Sequence, residues 1–329
     1  MFLCADHFEP DSSEQVSDWV RRHAEIAARH ADSSGRPPQH TWFYWGTKHD
    51  ELSALREACD QGLGEVELHI HHNDDTAETL TRRIGEHLRA FVTARLRRAS
   101  GPNWYGFVHG AWALDNSRGG RWCGVNSELQ VLRNTGCYAD FTFPAWGSMQ
   151  PRKRNSIYYA TDDPDKPKSY DTGQDVEVGR AASGDLMIFQ GPGRISGCPE
   201  RISRMKPLRW LFDSFFVSTD ITYYALPTPR RVNGWVKQNV HVRGRPEWVF
   251  VKAHTHGARE KNYPAYFGPA ADVMYRTLET RYNDGIHWQL HYVTARETYN
   301  IVKAAEAGMS GNPDAARDFE IGPYLTAEK

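Results

Sequence analysis

Paired cysteines are missing from this 329-residue chain: Cys4, Cys59, Cys123, Cys137 and Cys198 are scattered and never stand as Cys-x-x-Cys. An odd, dispersed set builds neither a disulfide framework nor a zinc knuckle, and it points to a reducing, cytoplasmic setting. An excess of charge is missing as well. Lys and Arg number 40 against 41 Asp and Glu, a formal net charge of -1, which leaves no basic field for nucleic acid and no acidic tail. Long apolar runs are missing too. The opening from Met1 turns acidic at Asp6, too early for a signal peptide, and no run approaches the length of a membrane span.

What is present is core material. Hydrophobic residues make up 40% of the chain and charged residues 25%, the balance of a folded globular protein. Short apolar β runs alternate with amphipathic helical stretches, the pattern of parallel βα units. Strands are predicted at Phe2–Ala5, His40–Trp45, Glu65–His71, Trp104–His109, Cys137–Phe143, Asp185–Gln190, Trp248–His254 and His287–Val293. Helices are predicted at Glu14–Ala31, Glu51–Gln61 (capped by Asp50 and closed by Gly62 and Gly64), Thr76–Arg98, Asn126–Asn134, Pro229–Val240, Val273–Tyr282 and Arg296–Ala307. The alternation lapses near residues 148–184 and 191–219, which read as insertions on a continuing scaffold. Around seven or eight such units in one domain, residues 1–329, suggest an α/β fold closed into an irregular (β/α) barrel of about seven strands. Sites in such folds sit at the carboxyl ends of strands.

Those ends carry clustered ionisable residues: Asp6, His7 and Glu9 after the first strand, and His69, His71 and His72 after the third, with Asp74 and Asp75 following. His109 ends the fourth, and His254 and His256 the late strand. In a strand, residues two apart share a face, so His69 and His71, like His254 and His256, can converge on one ion. Imidazole with carboxylate suits a hard, weakly selective first-row metal, and with no cysteine beside these positions a structural zinc site is not expected there.

The stretches Ala5-Asp6-His7-Phe8-Glu9, Glu65 to His72, Gly106 to Leu114 and Val251 to His256 resemble, in order, the motifs of the polysaccharide deacetylase (NodB-homology) family, as a divergent branch. The resemblance spans most of the chain. It implies a barrel holding one divalent metal, zinc first, with cobalt, nickel or manganese as alternatives, that activates water for attack on the acetamide of an N-acetylated sugar. Residue by residue it implies Asp6 as catalytic base, His254 as the acid on the leaving amine, Asp140 as the carboxylate tuning that acid, and His109 in the place of an arginine that orients the base. His7, His69 and His71 become the metal ligands. His7 replaces the family's aspartate and Asn73 its second histidine, so Glu9 and Asp75 stand as alternative ligands.

Weaker signals complete the reading. Asp115 and Asn116, in a polar loop running to Trp122, and His256 are candidates for sugar contacts, with a solvated loop as the alternative. Trp112 and Trp146 either stack on a pyranose ring or belong to the core. The apolar stripe from Trp210 to Val217 either packs on the core or grips a lipid tail or another subunit, which leaves a homo-oligomer open. Arg152, Lys153, Arg154, Arg230 and Arg231 are solvated faces unless the substrate carries phosphate. The expected activity is hydrolytic removal of acetyl from an N-acetylated carbohydrate or glycan precursor of a cell-surface pathway, with no nucleic-acid partner. A non-sugar amide substrate and a non-catalytic glycan-binding role are the rivals.

Overall fold

The computed structural model describes residues 1–145, 147–193 and 219–325. Trp146, Trp210 to Val217 and most of the second insertion therefore lie outside the described residues.

The first strand, β1 (Phe2–Phe8), is buried along its whole length, as a parallel strand covered on both faces must be. Its even positions Phe2, Cys4 and Phe8 pack outward with Val16, Trp19 and Val20 of α1 (Ser13–Ala27). Its odd positions Leu3 and Ala5 face an inner cluster with Phe43, Val108, Met187 and Phe189. Ser12 caps α1 by accepting from the backbone N–H of Gln15. There follow β2 (His40–Tyr44), α2 (His49–Asp60), β3 (Gly64–Ile70), α3 (Ala77–Thr93), β4 (Tyr105–His109), α4 (Glu128–Asn134) and β5 (Cys137–Asp140). The cap expected of Asp50 is not formed. Lys48 stands at that helix start without a side-chain capping bond. For α3, Thr76 and Thr79 close a reciprocal capping box.

The chain then departs from simple alternation. Within the first predicted insertion, β6 (Ile157–Ala160) and β7 (Gln174–Asp175) form an antiparallel pair, and β6 runs antiparallel beside β8 (Leu186–Phe189). After the gap come α5 (Pro229–Lys237), β9 (Val251–Thr255), the short α6 (Tyr263–Tyr266), α7 (Pro269–Arg281), β10 (Tyr292–Val293) and α8 (Ala295–Glu306). The last strand is much shorter than predicted. The Asp284 carboxylate accepts the N–H groups of Ile286, His287 and Trp288, so this backbone closes a turn instead of joining a ladder.

The result is a mixed α/β fold on one 10-stranded, mostly parallel sheet in the order β10-β1-β2-β3-β4-β5-β8-β6-β7, with β9 also paired to β1. β10 pairs with Phe2 and Leu3, and β2 with the rest of β1 from Cys4 to Phe8. The sheet curls: Lys252 of β9 donates its ammonium hydrogens to the carbonyls of Phe141 and Phe143, beyond β5. Its ladder does not close, because among the described residues no pairing joins β9 to the β8 or β7 side. Ile301, Val302 and Ala305 of α8 belong to the inner cluster. The parallel strands β1, β3, β4 and β9 end together, and that edge holds the histidines.

Candidate metal centre

At the end of β1 the chain leaves the sheet at Glu9, and at the end of β3 it delivers His71 just past Ile70. Glu9 Oε1 lies 3.0 Å from His69 Nε2 and 2.8 Å from His71 Nε2. His69 is fully buried, and its other nitrogen, Nδ1, is 2.8 Å from the Val108 carbonyl. A neutral imidazole carries one N–H, and a ring that faces oxygen on both sides is an arrangement that a cation shared with the carboxylate satisfies. Burial works against ionisation of Glu9, yet the bonds from His69 and His71 hold its carboxyl well below the usual range. Gly110 lets the His71 ring approach: a Cβ there would sit 2.5 Å from His71 Cγ.

Around this trio is a cleft of about 270 Å³, lined by His7, Glu9, His71, Ala111, Trp112, Thr222, Tyr224, His256, Arg259, Lys261 and Asn262. The His7 ring centroid is 5.3 Å from that of His69, 4.8 Å from His256 and 6.3 Å from both His254 and Trp112. Burial, reinforced by the neighbouring imidazoles, pushes His7 far below its ordinary pKa. Burial also takes His256 down to about 4. Both rings are therefore neutral near pH 7, the form that accepts a proton or binds a metal. Arg259 stands 3.6 Å from Glu9 Oε2 and adds positive charge to the rim.

The structure thus brings His7, His71, His256 and Trp112 to one cleft, with His69 buried behind Glu9 and His254 beside His7. It places the other predicted residues elsewhere. Asp6 belongs to a regular strand, so its side chain points opposite to that of His7. It accepts from the Gly257 N–H at 2.6 Å, lies 3.1 Å from His40 Nε2, and is pushed up to about 7 by burial, against the pull of the Gly257 N–H. The geometry therefore predicts that Asp6→Asn keeps turnover within about tenfold of the parent and mainly lowers stability. A loss near that of a general base, about 10²–10⁴ in kcat, would return Asp6 to the reaction.

The carboxylate against His254 is Asp220, not Asp140. Asp220 contacts His254 Nε2, and Thr219 Oγ1 is 3.0 Å from His254 Nδ1. Burial would raise Asp220, but the adjacent His254 holds it below the ordinary value. Asp140 instead accepts from the N–H and hydroxyl of Thr142, and burial raises it while lowering Lys252 across the inner core. The backbone brings Asp220 to His254 through an isolated parallel bridge. Sequence reasoning passed over Asp220 because it directly follows a stretch that looked like an insertion.

His109, Asp115 and Asn116 lie behind the cleft. His109 faces His72, Cys123 and Glu128 in a second, fully buried group. Asp115 donates its backbone N–H to Glu128 and accepts from the Ser169 N–H. Asn116 ties its own loop together through Gly120 and Asn126. Neither residue lines the cleft. Among the described residues, Glu9-His69-His71 and His72-His109-Cys123-Glu128 are the groups whose donor atoms lie close enough for one metal ion. Asp75, the alternative ligand, packs against His72. No described helix is long and apolar enough to cross a membrane. Comparison with protein-family models, with curated proteins and with solved structures found no match to this chain.

Proposed function

We propose that the protein is a divalent-metal-dependent hydrolase that removes acetyl from an N-acetylated sugar. The observation that carries this reading is Glu9 Oε1 set between His69 Nε2 and His71 Nε2 beside a cleft at the carboxyl edge of a parallel sheet. Imidazole and carboxylate donors suit zinc, with cobalt, nickel and manganese as substitutes. A divalent cation held there supplies an electrophile for the carbonyl oxygen and makes water more acidic.

The chain's own groups do the rest. Neutral His256 offers a nitrogen to take a proton from water, and His254, backed by Asp220, is the acid that an otherwise poor amine leaving group needs. Trp112 and Tyr224 supply aromatic surface on which a pyranose packs, and Lys261 and Asn262 supply donors for its hydroxyls. On this reading the curled sheet is an open, irregular barrel in one domain, and the substrate is a cytoplasmic glycan precursor.

The test is acetate release from a panel of acetamido sugars, beside a panel of small cyclic amides, after loading with zinc, cobalt or manganese. Release from the sugars, abolished by a chelator and restored by metal, is the expected result. Opening of the cyclic amides alone would make the protein an amidase of another substrate class. Bound metal with no turnover of either panel would make it a binding protein.

A further inference from the structure

The buried group behind the cleft has the construction of a second metal site. His72 and Asp75 follow β3, His109 ends β4, Cys123 stands in the loop after it, and Glu128 opens α4. The ligand atoms of His72, His109, Cys123 and Glu128 all lie within 4.8 Å of one another, and all four residues are buried. His72 Nε2 is 3.1 Å and His109 Nε2 3.3 Å from the same oxygen, Glu128 Oε1. His109 Nε2 is buried and makes no hydrogen bond of proper geometry, which leaves a polar atom aimed at the centre without a hydrogen-bond partner.

Three of the four donors are also held from behind. The Gly110 carbonyl lies 2.6 Å from His109 Nδ1, while Asp75 Oδ2 stands 3.1 Å from His72 Nδ1 as a charge contact without hydrogen-bond geometry. The second Glu128 oxygen accepts the Asp115 N–H at 2.5 Å. Cys123 Sγ receives the N–H groups of Asn116 and Val125 at 3.3 and 3.4 Å. Carboxylate or carbonyl behind each imidazole, and N–H donors on a sulfur, are what fix ligands in tetrahedral sites. The two rings lie with centroids 4.6 Å apart, both turned toward the same carboxylate.

We infer that His72, His109, Cys123 and Glu128 bind a zinc ion through Nε2, Nε2, Sγ and Oε1. All four positions are filled by protein and none is open to water, so the site is structural. It joins the end of β3 to the loop between β4 and α4. That loop carries Trp112 into the cleft and Gly110 against His71, so the buried ion sets the wall of the reaction site without taking part in it.

The test uses the purified full-length protein and X-ray absorption at the zinc edge. The cleft set holds no sulfur, so this site alone predicts a sulfur neighbour at about 2.3 Å from zinc. Cobalt substitution of the same protein is expected to give a thiolate-to-cobalt charge-transfer band. Cys123→Ser is expected to lose that band and about one equivalent of metal per chain, while His69→Ala, which loses the cleft ion, keeps the band. A zinc-loaded wild-type protein with only nitrogen and oxygen neighbours and no thiolate band overturns the inference whether or not the variant folds. That result leaves the hydrolytic reading of the cleft standing, since its ligands are Glu9, His69 and His71.

Discussion

Alanine in place of His69 is expected to lower acetate release by at least about 10³-fold, because the several kcal/mol a cation contributes to the transition state go with its ligand. His69 is the buried member of the trio, with Nε2 at 3.0 Å from Glu9 and Nδ1 on the Val108 carbonyl. Its loss removes a ligand from within the wall, and exposed His71 with Glu9 cannot replace it. Metal analysis should show about one equivalent fewer per chain than the parent. The thermal midpoint separates this from unfolding: a variant that melts cooperatively and retains the thiolate band has lost the cleft ion alone. Parental turnover in the His69→Ala protein would remove the cleft from the chemistry.

Asn in place of Asp220 is the second large effect, expected at about 10²–10⁴ in kcat with metal content unchanged. The carboxylate contacts His254 Nε2, and both groups are buried. The carboxylate fixes the ring and offers its Nε2 only acceptor oxygens, whereas an amide of the same shape presents a donor as well. The loss should appear in kcat more than in KM, since the substrate cleft is lined by other residues. The readout that isolates proton delivery is the leaving group. Amides whose amines leave readily without protonation should lose less than acetamido sugars do. Equal losses for both would reduce Asp220 to a packing role.

How far the sequence carried these conclusions depends on the range of each signal. The βα alternation is local, and it located β1 to β5, β8 and β9 with boundaries displaced by a few residues. Ile157-Tyr158-Tyr159-Ala160 is a β-branched and aromatic run that could have been read as β6, but the charged, turn-rich sequence around it concealed it. The period of two in a strand brought His69 and His71 together correctly in space. The same period separates Asp6 from His7, so a regular strand cannot place both in one cleft. The motif resemblance had put them there together.

The pairs missed are those made across the fold. Asp220 reaches His254 only because the backbone following the second insertion runs beside β9. Cys123 joins His72 and His109 from the loop between β4 and α4, and Glu128 from the first turn of α4. Their spacing follows no short motif, and a cysteine read as isolated gave no reason to look for a thiolate site. Asp284 ends the last predicted strand by capturing its N–H groups, a competition between side chain and ladder that periodicity does not register.

The hydrolytic reading stands or falls on a divalent cation held in the cleft by Glu9, His69 and His71. Crystals of the protein grown with zinc, measured on both sides of the zinc absorption edge, decide the matter. An anomalous peak is expected, bonded to Glu9 Oε1, His69 Nε2 and His71 Nε2 at about 2.0–2.2 Å from each. A map with no peak at that position, and His71 turned away from Glu9, would contradict it.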